Sequence, residues 1–306
     1  MHEQIAANKR KTVLLFVVAI AFTGLIGYAI GYIFWNGGTA GVVIAVVLAA
    51  VLSLGSYFAG DRLVLASTRA REVTAEEEPR LHNVVEGLAI AAGIPKPRVY
   101  IVPEQAPNAF ATGRDPTHSS VAVTQGLLDV MNRVELEGVI GHEMSHVLDR
   151  DILVGTVVAT VVGAAVLMSE FFMRSWFWSG GRIGGRRDGG GGGDAGAVAL
   201  VLFAVGIVLL IIAPIAGQLI RLSVSRNREY LADAQGVLLT RYPPGLISAL
   251  EKIRDAPHAM RAANNATAHL WLDQPSRVPG EGTSTMEKLF SAHPPIQDRI
   301  DRLQEM

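Results

Sequence analysis

Four stretches of this 306-residue chain stay apolar for long enough to decide what it can fold into: Val13–Trp35, Ala40–Ala59, Ile152–Met173 and Gly196–Ile220. A bilayer core about 30 Å thick needs about 20 apolar residues at a rise of about 1.5 Å each. All four runs reach that length, and a mean hydropathy of +0.32 agrees with membrane spans. The alternative reading makes them buried core helices of a large soluble protein. Lys9, Arg10 and Lys11 precede the first run in the manner of a signal peptide. That run is longer than a signal core, and no small-residue cleavage site leads from it into a polar domain, so an uncleaved span is expected.

The charges flanking the runs set an orientation. Lys9, Arg10 and Lys11 lie before the first, Arg62, Arg69 and Arg71 follow the second, and the connector NGGT between them is uncharged. The positive-inside rule then puts the N-terminus and the chain after Asp61 in the cytoplasm. Four parts follow: two N-terminal transmembrane helices in 1–60, a soluble block in 61–151, a second hydrophobic hairpin in 152–220 and a second soluble block in 221–306. The connector RSWFWSGGRIGGRRDGGGGGDAG carries four arginines, so a second hairpin that crosses fully breaks the rule.

Within the soluble blocks, TAEEEPRLHNVVEGLAIAAG reads as a helix with a Thr74/Glu77 capping box, stopped by Gly93. PRVYIV and HSSVAVT alternate and are β-branched, which predicts strands, with NAFATG between them as a short or edge strand. NRVELEGVIGHEMSHVLDRD and RLSVSRNREYLADAQGVLLT have helical periodicity. PPGLISALEKIRDA and HPPIQDRIDRLQ open on prolines suited to a helix start. The soluble part is therefore mainly helical with a small sheet.

Zero cysteines remove disulfides, thiolate metal sites and thiol nucleophiles, and a net charge of −1 without a basic tail gives no sign of nucleic-acid binding. Chemistry is left to His, Asp, Glu and hydroxyls. HEMSH sets His142 and His146 one helical turn apart, where both rings can hold one zinc ion, and Glu143 beside them can act as general base on water. The bland reading is a helix with two surface histidines. A third protein ligand must come from elsewhere, because Asp149 and Ile152 stand where a metzincin needs glycine and histidine. SRNREYLADAQG offers Glu229, with Asp233 one turn on to accept a hydrogen bond from a ligand histidine. Against that, Glu229 beside Arg226 and Arg228 is equally a solvated charge. His2, His82, His118, His258 and His269 have no ligand spacing and read as solvated or packed, as does Glu170 near the end of the third run.

Two hydrophobic spans, PRVYIVPEQAPNAFATG, VAVTQGLLD, ELEGVIGHEMSHV, a hydrophobic hairpin, SRNREYLADAQG and SAHPPIQDRI occur in an order that resembles the HtpX-type membrane zinc endopeptidases. That wider family includes the CAAX-processing membrane peptidases. The resemblance runs from the first span to Ile300. It implies a mainly α membrane protein of four hydrophobic helices with a cytoplasmic thermolysin-like (gluzincin) α+β catalytic domain. One Zn2+ per chain would be held by His142, His146 and Glu229, with Glu143 as base and Asp233 orienting a ligand. Asn108, with Ala109 and Phe110, resembles the substrate-binding edge, and His293 of HPP resembles an oxyanion-stabilising histidine. Asn108 also suits a turn after Pro107, and His293 a position before a proline-initiated helix. The implied activity is hydrolysis of misfolded or damaged membrane proteins at the inner membrane, with self-cleavage. A specific CAAX-like processing peptidase, a non-catalytic zinc sensor and an inactive homologue are the competing readings. The zinc-bearing helices flank the second hairpin, which predicts a site just above the bilayer on the cytoplasmic side. Glu135, Glu137, Asp149, Arg150 and Asp151 argue against a site within the hydrocarbon.

Overall fold

The structure, a computed structural model, describes residues 6–8, 10–14, 16–17, 38–160, 226–256, 260, 267–273 and 294–306. Most of the first, third and fourth apolar runs and His293 lie outside them. Two compact units emerge: 1–12, 56–160 and 220–306 form one, and 13–55 with 161–219 the other. Among the described residues no helix is long and apolar enough to cross a membrane.

Helix α1, Gly38–Ser67, contains the second apolar run, and its Val43, Ile44, Val47, Val51, Leu54 and Phe58 side chains are each more than half exposed. Its last turns enter the first unit, which also holds β1 (Arg71–Glu72), α2 (Pro79–Ala92), β2 (Arg98–Val102), β3 (Ala109–Asp115), β4 (His118–Thr124), α3 (Gln125–Val130), α4 (Arg133–Leu148), α5 (Arg226–Thr240), α6 (Pro243–Arg254) and α7 (Ile296–Gln304). The sheet order is β1-β2-β4-β3, with β2 and β4 parallel and the other pairs antiparallel. NAFATG therefore ends up on an edge.

Alternation along the strands builds two cores. Val99, Ile101, Ala109, Ala111, Val121 and Val123 face a cluster with α2, α4, α6 and α7, including Leu81, Leu136, Ile140, Leu250 and Ile300. Tyr100, Val102, Phe110 and Ala122 face the other way, onto Val64 and Leu65 of α1, Ala159 and Trp271. Helix α4 is buried on nearly every side, from Glu135 to Val147. A helix so enclosed needs no polar face, so its sequence lacks the one-sided stripe of a surface helix.

Two boundaries differ from the sequence reading: the HEMSH helix stops at Leu148 rather than running on to Asp151, and the helix after Thr74 begins later. Thr74 and Glu77 do bond reciprocally, Thr74 N to Glu77 Oε2 at 2.9 Å and Glu77 N to Thr74 Oγ1 at 3.4 Å, but they close a separate turn. The helix starts only at Pro79, whose missing N–H costs nothing in the first turn. Its end is as expected, with Gly93 left-handed at φ 67°.

Candidate metal centre

Helix α4 is fixed at its start by a complete capping box, Asn132 Oδ1 accepting from Glu135 N at 3.0 Å and Glu135 Oε2 from Asn132 N at 2.8 Å. The same carboxylate accepts from Ser248 Oγ and Lys252 Nζ, both at 2.7 Å, which ties α6 to the end of α4. Helix α5 crosses α4 at Gly236. A Cβ there would stand 2.8 Å from the His142 backbone nitrogen, so only glycine lets the two helices come this close. The approach lets a carboxylate on α5 reach the imidazoles on α4.

The three residues proposed from spacing meet. His142 Nε2 and His146 Nε2 lie 3.2 Å apart, Glu229 Oε2 is 3.6 Å from the first and Glu229 Oε1 3.8 Å from the second. Donors about 2.0–2.1 Å from one tetrahedral centre stand about 3.3 Å apart, so the separations and the His₂Glu donor set fit a zinc ion. His142 and Glu229 are buried and His146 is half-buried. Glu143, also buried, lines the same cleft with Ala111, Ile152, Gly155, Arg228, His269 and Leu270–Leu272.

Each histidine has a carboxylate behind it. Asp233 Oδ1 lies 2.8 Å from His142 Nδ1, the placement expected of an orienting acceptor. Arg299, which sequence reading passed over, is fully buried and grips Asp233 from the far side, Nε to Oδ2 at 2.8 Å and Nη2 to Oδ1 at 2.6 Å. Its Nη2 also lies 3.2 Å from His142 Nδ1. Asp233, kept ionised by Arg299, can only accept, so its 2.8 Å contact calls for an N–H on His142 Nδ1 and leaves the Nε2 lone pair of the neutral ring facing Glu229. Behind His146 stands Asp151, Oδ2 to Nδ1 at 3.3 Å.

Burial, with the Arg299 charge second, lowers the His142 pKa to about 4, so this ring is neutral and ready to bind a cation. His146 moves the other way. Burial would lower it, yet the Asp151 hydrogen bond and the negative charges of Glu229, Asp151 and Glu143 raise it to about 9. Its cause is the net negative charge of the neighbouring carboxylates, which favours a divalent cation here as it favours the proton. Asp233 is held below the ordinary carboxylate range: burial would raise it, and Arg299 more than offsets that.

The expected substrate edge is partly taken up. Asn108 is buried, its Nδ2 donating to Asp273 O at 2.9 Å and its Oδ1 accepting from Asp273 N at 3.2 Å. Ala109 O accepts from Leu272 N at 2.9 Å. Phe110 points away from the cleft and packs edge-on against Trp271, ring centroids 4.6 Å apart. On the outward row of β3, Thr156 Oγ1 accepts from Gly113 N at 3.2 Å. Ala111, between these two contacts, is the residue of that row that lines the cleft.

Of the histidines given the bland reading, His82 bonds Val73 O at 2.9 Å and His118 bonds Asp115. His269 instead lines the cleft, with Nε2 3.1 Å from Gly155 O.

Comparison with known proteins identifies the family. The model of peptidase family M48 matches residues 75–306. A protein named Protease HtpX homolog from Thermoanaerobacter pseudethanolicus is 46% identical over 309 residues, covering 100% of this chain and 98% of its own. One of the same name from Lactobacillus helveticus is 42% identical over 308 residues, with 100% of both chains covered. The crystal structure of S. mikatae Ste24p superposes with a TM-score of 0.51 at 18% identity, over 99% of this chain and 67% of that one, which speaks to the fold alone. With a family match over most of its length and full-length relatives above 40% identity, the chain belongs to peptidase family M48 and is a metallopeptidase.

Proposed function

We propose that this metallopeptidase is a zinc-dependent endopeptidase, anchored in the inner membrane with its active site on the cytoplasmic side, that degrades misfolded or damaged membrane proteins. The observation that carries the chemistry is the cluster of His142, His146 and Glu229 beside the buried Glu143. Those three residues would hold the metal, with Asp233 keeping His142 in its binding tautomer. Zinc, when bound, supplies a Lewis acid that polarises the scissile carbonyl and brings the pKa of water near 7. Glu143 takes the proton from the attacking water and returns it to the departing amine. The backbone of Ala111 on the β3 edge aligns an extended substrate through main-chain hydrogen bonds, which select conformation more than sequence.

Membrane anchoring is supported by the four apolar runs and by the row Val43, Ile44, Val47, Val51, Leu54 and Phe58. Exposed apolar surface on that scale suits lipid better than water. The quality-control role draws on the HtpX name of the relatives. The test compares zinc content and casein cleavage of detergent-purified parent with Glu143→Gln. Expected are about one zinc in both and at least 100-fold lower turnover in the variant, general-base catalysis contributing about 10²–10⁴-fold. Equal turnover, or a parent that binds no zinc, sinks the reading.

A further inference from the structure

We infer that Asp151 is a positioning residue for His146, and that the N-terminal segment, through Asn8, is part of what holds Asp151 in place. This rests on the proposal that His142, His146 and Glu229 carry the metal.

Helix α4 ends at Leu148, Arg150 takes a left-handed turn at φ 59°, and residues 151–160 start a new helix. That reversal swings Asp151 back under the ring it followed. Its two oxygens are divided: Oδ2 faces His146 Nδ1 at 3.3 Å, while Oδ1 accepts from Arg228 Nη1 at 2.9 Å and from Asn8 Nδ2 at 2.5 Å. Asn8 also donates to the Asp149 carbonyl at 2.9 Å, so it bridges both ends of the turn. It is 4% exposed, a desolvation that a casual surface contact does not require. Arg228 lies on α5 next to Glu229 in sequence, so one carboxylate ties together the two metal-bearing helices and the segment preceding the first apolar run.

With Nδ1–H directed at Asp151, the proton that a metal would displace from His146 is the one on Nε2, the nitrogen turned towards His142 and Glu229. The bland alternative is that Asp151 merely supplies negative charge to the first turn of the helix it begins. The two readings predict different things. A helix-end charge stabilises the chain with or without metal, whereas a positioning residue changes affinity for the metal.

The experiment measures zinc affinity by chelator competition, together with the rise in Tm on adding zinc to metal-free protein, for full-length parent, Asp151→Ala, Asp151→Asn, Asn8→Ala and Asn8→Asp in detergent. Removing such an outer partner typically weakens binding by about 10–100-fold, the loss expected for Asp151→Ala. Asp151→Asn, which keeps an acceptor, falls between. Asn8→Ala weakens zinc several-fold, and Asn8→Asp weakens it more by setting a carboxylate against Asp151. Unchanged affinity in Asp151→Ala, with Tm lowered equally in the metal-free and zinc-loaded protein, overturns the positioning role. Unchanged affinity in both Asn8 variants overturns the part given to the N-terminal segment. A parent that binds no zinc fails differently, because it removes the metallopeptidase chemistry as well.

Discussion

Arg299 is the residue whose loss should be felt most. Fully buried, it donates twice to Asp233 and once to the Leu272 carbonyl at 3.0 Å, so Arg299→Met strands a buried carboxylate behind His142. Breaking one side of such a pair costs about 3–5 kcal/mol. Thermal unfolding of Arg299→Met should show that loss, and adding Asp233→Asn should restore most of the stability without restoring tight zinc binding. The histidine pair makes a second prediction, for the metal-free protein. His142 sits at about 4 against an ordinary 6.5, so the unfolded chain binds the extra proton below pH 6.5 and stability grows as pH rises from 4 to 6.5. His146 sits at about 9, so the folded chain holds the extra proton above pH 6.5 and stability falls from there to 9. Tm of the chelator-treated protein should peak near pH 6.5, and a flat profile across pH 4–9 would contradict both assignments. His142, Glu143 and His146 were legible because their spacing is itself the chemistry. Arg299 was not: on a short amphipathic C-terminal helix it reads as one more solvated charge, and its partner lies 66 residues away. Asp151 was read only as one of five charges that argue against a site within the hydrocarbon.

Elements were easier to read than their meetings. Periodicity and caps anticipated α4, α5 and α6, and β-branched alternation anticipated β2 and β4. The start of α2 was read too early because Thr74 and Glu77 satisfy the local capping rule without a helix following at once. What the sequence does not spell out is that Gly236, mid-helix and unfavourable there by propensity, marks the α4–α5 crossing. Gly236→Ala removes that penalty from an isolated helix, yet in the protein it drives a methyl into the His142 backbone. Overpacking of this kind costs about 1–3 kcal/mol, so Tm should drop and zinc should bind more weakly, read by melting and chelator competition. A stabilised variant with unaltered zinc affinity would mean the helices are not held at contact distance.

On the scale of the whole molecule, the prediction concerns sidedness. The native chain has no cysteine, so single cysteines at the exposed Ile90 and Met306 report without background. In intact cells both should resist a membrane-impermeant maleimide and react after lysis, while the protein stays with membranes through an alkaline wash. Labelling of intact cells at either position would reverse the orientation. The unit that holds the candidate metal centre is woven from residues 1–12, 56–160 and 220–306, so His142, His146, Glu229, Asp233 and Arg299 arrive from distant parts of the chain. Deleting residues 296–306 should therefore abolish zinc retention although every ligand remains. The order of synthesis gives that arrangement its last consequence. Because the guanidinium that grips Asp233 is encoded 66 positions after it, a nascent chain that has just completed α5 already carries both imidazoles and the Glu229 carboxylate, yet still lacks the charge that steadies the aspartate behind His142.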